Sequence, residues 1–286
     1  MPFTAFLLVT LAAIAHATWN FLAKRAAQSK HLIWFSSATE ALLFAPVAAW
    51  ILKHVWTSLS LKSVLFLLAT GFLHLLYTES LLRGYRTGDL TMVYPLARGT
   101  GPLLSFLGAV FLLQEHLSLL AATGAVLVSF GILLASGGFS ALQDGRNHAG
   151  IFWGVATGCT IASYTLVDGY SVKTLLLSPI LVDYAGNLFR LVVLSSGAYR
   201  RRSTLRLEYA QWWREASGIG LLTPIGYILV LFAMRMAPIS HVAPVREMSM
   251  MIGMYFGARF LGEGHIVRRL VGSAFIAGGV AALSLG

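Results

Sequence analysis

Ten apolar stretches, each long enough to cross a bilayer, follow one another along this chain of 286 residues with little between them. They cover residues 3–23, 31–52, 62–82, 90–113, 117–136, 149–169, 179–199, 215–234, 240–261 and 267–285. The hydrocarbon core of a membrane is about 30 Å thick and a helix rises about 1.5 Å per residue, so about 20 apolar residues make one crossing. Lipid offers no hydrogen bonds to an open backbone, which leaves the helix as the form such segments take. The expected fold class is therefore all-α and polytopic, with ten transmembrane helices. A composition of 57% hydrophobic and 11% charged residues, with a mean hydropathy of +0.75, agrees and excludes an ordinary soluble domain. Nothing basic precedes Lys24, so the first stretch reads as a spanning helix although Ala15-His16-Ala17 resembles a leader cleavage site.

A formal charge of +10 would point to nucleic acid if the basic residues were not so placed. Of the 21 Lys and Arg, 18 fall in the connections between apolar stretches or within three residues of a stretch's end, and only Arg98, Arg190 and Arg246 lie well inside one. Counted alternately, the odd connections hold 14 and the even ones hold only Lys53, Lys62, Lys173 and Arg235. By the positive-inside bias the odd connections are cytoplasmic, both termini face the other side, and no nucleic-acid partner is expected. Cys159 stands alone inside an apolar stretch, so no intramolecular disulfide or cysteine-based metal site is available.

The chain is also written twice. Arg98 matches Arg246, Glu115 matches Glu263, Gly124 matches Gly272 and Gly131 matches Gly279, all at an offset of 148. Gly71 matches Gly220, Arg86 matches Arg235 and Pro95 matches Pro244 at an offset of 149, and Ala17-Thr18-Trp19-Asn20 pairs more weakly with Ala162-Ser163-Tyr164-Thr165. Five crossings per copy make the second start on the opposite face. The expected domains are two inverted five-helix repeats, 1–137 and 149–286, joined by the polar stretch 137–148. Inverted repeats are a common transporter plan, with the solute site near mid-membrane beside interrupted helices.

These residues carry a family resemblance. Pro95-Leu96-Ala97-Arg98, then an apolar run to Glu115, then Leu-rich sequence with Gly124 and Gly131, is similar to the EamA-type half of the drug/metabolite transporter superfamily. His16 to Lys24, HATWNFLAK, resembles the start of that unit, and the likeness covers nearly the whole chain as two copies. The second copy departs from the pattern with Pro244-Val245-Arg246-Glu247, which loosens the equivalence of Arg98 and Arg246. What the resemblance implies is a ten-helix solute carrier of the cytoplasmic (inner) membrane, often an exporter of amino acids, other metabolites or toxic compounds. A branch associated with phosphonate utilisation has a similar histidine-alanine-tryptophan-asparagine start.

Ionised side chains in mid-bilayer cost about 3 kcal/mol on insertion scales and face a bundle interior or a watery cavity. Glu40, near the middle of its stretch, reads either as a proton- or cation-binding carboxylate or as half of a structural ion pair. Glu79 has the same two readings, closer to the cytoplasmic end. Asp183, Asn187 and Arg190 are spaced i, i+4, i+7 and stack on one helix face, with Asn187 placed to bridge. His16 and Asn20 share a face with Lys24, and Trp19 stands beside them, for solute or for a neighbouring helix. Pro95, Gly99, Gly101 and Pro102 around Arg98 suggest a broken helix whose amides and guanidinium face a cavity, suited to a carboxylate or phosphate. The competing reading pairs Arg98 and Arg246 with carboxylates such as Glu79 or Glu247. Glu115 and Glu263 read as structural helix ends, and Gly253 and Gly257 as a small-residue packing face.

No Walker loop, HExxH, Gly-x-Ser-x-Gly or nucleotide fingerprint occurs, so no enzyme activity, cofactor or metal is expected. The reading is a secondary, ATP-independent carrier exporting a small amino-acid-like or otherwise charged metabolite by alternating access. Its partners are the solute, a coupling proton on Glu40 or Glu79, and the lipid bilayer, as monomer or homodimer. An uptake carrier for a small anion such as a phosphonate, and a membrane receptor that moves nothing, are the alternatives.

Overall fold

The computed structural model describes residues 1–26, 28–87, 90–116, 118–136, 148–200, 202–252, 255 and 266–286. These are helical, with no strand among the described residues. In chain order the helices are α1 (Phe3–Arg25), α2 (Leu32–Val55), α3 (Leu61–Thr87), α4 (Leu90–Leu113), α5 (Leu119–Ser136), α6 (His148–Lys173), α7 (Pro179–Arg200), α8 (Arg202–Met236), α9 (Ile239–Val245) and α10 (Ile266–Leu285). Seven of them are long and apolar enough to cross a membrane, and α5 and α10 carry shorter apolar runs. Glu263, Gly253 and Gly257 lie outside the described residues.

The core is apolar, but so is much of the outside, and acids lie within. Leu42, Phe111, Leu112 and Val192 stand on the outside, each at least 70% exposed, while Glu40, Asp168 and Glu247 are at most 2% exposed. Apolar side chains face lipid at no cost, so the interior is where polar groups find partners.

Two expectations change. The helix around Arg98 is unbroken: α4 runs through Pro95, Gly99, Gly101 and Pro102. The glycines serve close packing instead, since a Cβ on Gly101 would lie 2.8 Å from Ile161 Cγ2 and one on Gly99 3.1 Å from Leu133 Cγ. The interruption occurs in the second copy, where α9 stops at Val245 and the chain tightens. There the Glu247 amide donates to Pro244 O and the Ser249 amide to Arg246 O, three residues back in place of four, before helix resumes over 248–252. Second, α8 begins 13 residues before the expected start at 215. The added stretch RSTLRLEYAQWWR is too polar to register as apolar, yet Leu205 and Trp212 pack inward with Leu32, Phe35 and Ala216.

The helices pair in a reciprocal pattern: α1 packs on α8 and α6 on α3, α2 on α8 and α7 on α3, and α5 lies along α10. On that last seam Gly124 meets Gly279 and Gly131 meets Gly272, with a Cβ at Gly124 or Gly131 only 2.7 Å from the facing carbonyl oxygen. The order of contacts makes the two helices antiparallel. Packing rather than hydrophobic exclusion holds helices together in lipid, and small residues let backbones approach.

Two carboxylates tie connections to helix ends. In one cluster, Glu115 accepts from the Ile239 amide (2.8 Å), the Ser240 amide (2.9 Å) and Lys173 Nζ (2.9 Å), joining the end of α4, the end of α6 and the start of α9. In the other, Glu208 accepts from Ser29 Oγ (2.7 Å) and the His31 amide (2.9 Å). Glu115 thus caps α9, whose preceding residue Pro238 supplies no side-chain cap, while Ser118 Oγ caps α5.

Partial burial alone would push the Glu115 carboxyl up, but the Ser240 and Ile239 amides and Lys173 outweigh it and hold it below the usual carboxylate range. A depressed carboxylate stabilises fully above its unfolded value and loses that contribution as pH falls through its folded value. Glu115→Gln keeps the shape but turns one acceptor oxygen into a donor, which orphans one α9 amide at a cost of about 1–3 kcal/mol. Thermal unfolding of wild type and variant should differ at pH 7 and converge in acid; a gap that persists at low pH would refute the charged cap.

Candidate functional site

Between α1, α3, α4, α6, α7 and α8 lies a cavity of about 150 Å³, and seven of the ten residues singled out from sequence line it: His16, Trp19, Arg98, Asp183, Asn187, Arg190 and Arg246. The aromatic part of its remaining wall is Tyr77, Tyr164, Tyr227 and His74. Glu40 sits behind Arg190, Asn20 bonds its own helix through His16 O (2.7 Å), and Glu79 is about half exposed and paired with Arg83 (2.7 Å). Those three do not line the cavity.

One pole is built around two arginines. Arg98 from α4 and Arg246 from the turn after α9 share one acid: Arg98 Nη2 lies 2.9 Å from Glu247 Oε2, and Arg246 Nε lies 3.5 Å from Glu247 Oε1. All three are buried. Arg98 also reaches His16 Nε2 at 3.1 Å and Ser249 Oγ at 3.4 Å. Trp19 Nε1 lies 3.3 Å from the other His16 nitrogen. A neutral imidazole has one lone pair to offer, so His16 accepts from Arg98 or from Trp19 and not from both. The charge-assisted bond from Arg98 is the stronger. Arg246 lines the cavity, and its Nη2 is buried with no hydrogen-bond partner among the described residues.

The opposite pole is the crossing of α2 and α7. Arg190 donates to Ser37 Oγ (3.0 Å) and Asn187 Oδ1 (2.8 Å) and lies 3.5 Å from Glu40 Oε2, while Asn187 Nδ2 donates to Ser37 O (3.0 Å). Asn187 thus bridges Arg190 to the neighbouring helix, as the i, i+4, i+7 face allowed. Asp183 lies beside the Glu40 carboxyl, which places two acids against one guanidinium.

Asp168 was not foreseen. It is fully buried behind the aromatic wall, where His74 Nε2 lies 3.0 Å from Oδ2 and the Tyr227 hydroxyl donates to the same oxygen. His74 stacks on Tyr164 with ring centroids 4.2 Å apart. Asp168 falls at the end of its apolar stretch, where an acid reads as interfacial; in the structure α6 continues to Lys173, which leaves Asp168 inside the helix.

No family model and no curated protein matches this chain. Solved structures do match: one described only as "Crystal structure of protein" superposes over 100% of this chain and 98% of its own with a TM-score of 0.74, at 13% sequence identity. At that identity the likeness establishes the fold alone, and the chain therefore shares a known whole-chain helical fold.

Proposed function

We propose that the protein is a secondary carrier of the EamA type, with two inverted five-helix halves alternating access to the central cavity, and that it exports a small zwitterionic or anionic metabolite across the cytoplasmic membrane. The observation that carries this reading is the arginine pole: Arg98 and Arg246 come from matching stretches of the two copies and border one cavity, with Arg246 Nη2 lacking a hydrogen-bond partner among the described residues. The reciprocal helix pairs support the inverted halves, because a two-fold axis brings Gly124 to Gly279 and Gly131 to Gly272 together.

Charge arithmetic narrows the solute. Arg98 and Arg246 against Glu247 leave one positive charge at the first pole. Arg190 against Glu40 and Asp183 leaves one negative charge at the second when both acids are ionised. An anionic group fits the first pole through the planar donor fork of arginine; an ammonium, or the coupling proton, fits the second. Glu79 drops out of that coupling role because it faces the surface with Arg83. A cavity of about this volume admits a ligand the size of benzene, about six non-hydrogen atoms, so the solute in this conformation is small.

The test is flux into proteoliposomes of radiolabelled glycine, alanine, acetate and methylphosphonate, with wild type, Arg246→Ala and Glu40→Gln. Loss of a charge-assisted contact of about 2 kcal/mol predicts that Arg246→Ala transports its solute about thirtyfold less efficiently. Movement of none of the four, or equal flux by a folded Arg246→Ala protein, would sink the assignment. Methylphosphonate as the sole solute moved would select the small-anion alternative, and binding without flux would select a receptor.

A further inference from the structure

The first third of α8 contributes no residue to the central cavity and exceeds what a bilayer requires. Its 35 residues make a rod of about 52 Å against a hydrocarbon core of about 30 Å, and the apolar part begins only near Glu215. We propose that this extension is an anionic-lipid site: Arg206, Arg214 and the adjoining Arg200 hold phosphate headgroups of acidic phospholipid in the leaflet on the odd-connection side.

Charge and face both lead there. Arg206 and Trp213 are spaced i, i+7 on one exposed face, about a quarter-turn from the side on which Leu205, Tyr209 and Trp212 pack inward, the Tyr209 ring 5.1 Å from that of Phe35. Arg214 follows, with its guanidinium 5.5 Å from the Trp213 ring. The acids of this stretch are already engaged: Glu208 accepts from Ser29 and His31, and Glu215 lies 3.6 Å from Arg25. Arg200, Arg206 and Arg214 are exposed and have no ion-pair partner among the described residues. Tyr and Trp rings settle at headgroup level, a guanidinium fork grips phosphate oxygens in pairs, and each basic residue at an acidic membrane surface strengthens binding about fivefold. Glu208 already ties this stretch to the α1–α2 junction in the fold, so lipid that binds the arginines only in the folded protein raises thermal stability. This inference does not depend on what the cavity carries.

The experiment is thermal unfolding of the full-length protein in detergent titrated with phosphatidylglycerol or phosphatidylcholine. Wild type should be stabilised by phosphatidylglycerol well below the phosphatidylcholine concentration that does the same. In R206Q/R214Q the half-saturating phosphatidylglycerol concentration should rise about 25-fold, while R206K/R214K keeps most of the preference. Because a glutamine variant that fails to fold would decide nothing, the salt dependence of wild type supplies a second readout, and 1 M salt should remove the preference. Equal stabilisation by both lipids, an unchanged preference in R206Q/R214Q, or indifference to salt overturns the site. Full stabilisation by inorganic phosphate at matched concentration would overturn the lipid as its occupant.

Discussion

Gly131→Ala should lower stability by about 3 kcal/mol, while Gly278→Ala leaves it unchanged or raises it slightly. The two substitutions add the same methyl group. At Gly131 the new carbon would sit 2.7 Å from Gly272 O and 2.9 Å from Ile276 N, both backbone atoms that no rotamer change can move. At Gly278 nothing lies within 4 Å, so the gain in helix propensity stands alone. Overpacking a tight core costs about 1–3 kcal/mol where side chains yield, and here two helix backbones must part. Parting them also loosens the Gly124–Gly279 contact on the same seam, which places the expectation at the top of that range. Equilibrium unfolding in an SDS titration measures it. Similar losses at both positions would mean that α5 and α10 do not meet at these glycines.

The α5–α10 seam also shows what the residues alone could convey. Apolar length located the crossings, because lipid leaves helix as the outcome whatever the neighbours are. It missed the start of α8, where the stretch from Arg202 to Arg214 is amphipathic and registers as polar. Matching Gly124 to Gly272 and Gly131 to Gly279 identified equivalent positions, but not that each would touch the other's partner; that is a property of the crossing. Periodicity placed Asp183, Asn187 and Arg190 on one face and pointed that face inward, and the cavity lining agrees. Periodicity is silent on which residue of another helix arrives opposite. Hence Glu247 entered only as one of several partners for Arg98, and Asp168 not at all. Glu79 illustrates the converse: its Arg83 stands four residues on, a spacing that already offered a surface pair. The helix-breakers around Arg98 misled for a related reason. Glycine permits both a break and a close approach, and only the position of Ile161 decides between them.

Glu247→Gln is expected to cost about 3–5 kcal/mol, the range for stranding a buried charge, and yet to strengthen anion binding. Glu247 is the acid shared by Arg98 at 2.9 Å and Arg246 at 3.5 Å. Removing its charge leaves two buried guanidinium groups facing each other without compensation. Arg98→Ala is milder, because Glu247 still has Arg246. In the double variant Arg98→Ala/Glu247→Gln the repulsion is gone, so its loss should fall short of the sum of the single losses by about 1–3 kcal/mol. The cavity consequence has the opposite sign. With Glu247 neutral the first pole carries two positive charges in place of one, and an anion such as methylphosphonate is drawn in more strongly in the folded fraction. Unfolding measurements and methylphosphonate binding on the same preparations should therefore move in opposite directions. Were Glu247 only a structural brace, stability alone would respond; a fall in both would mean that the anion does not bind between Arg98 and Arg246.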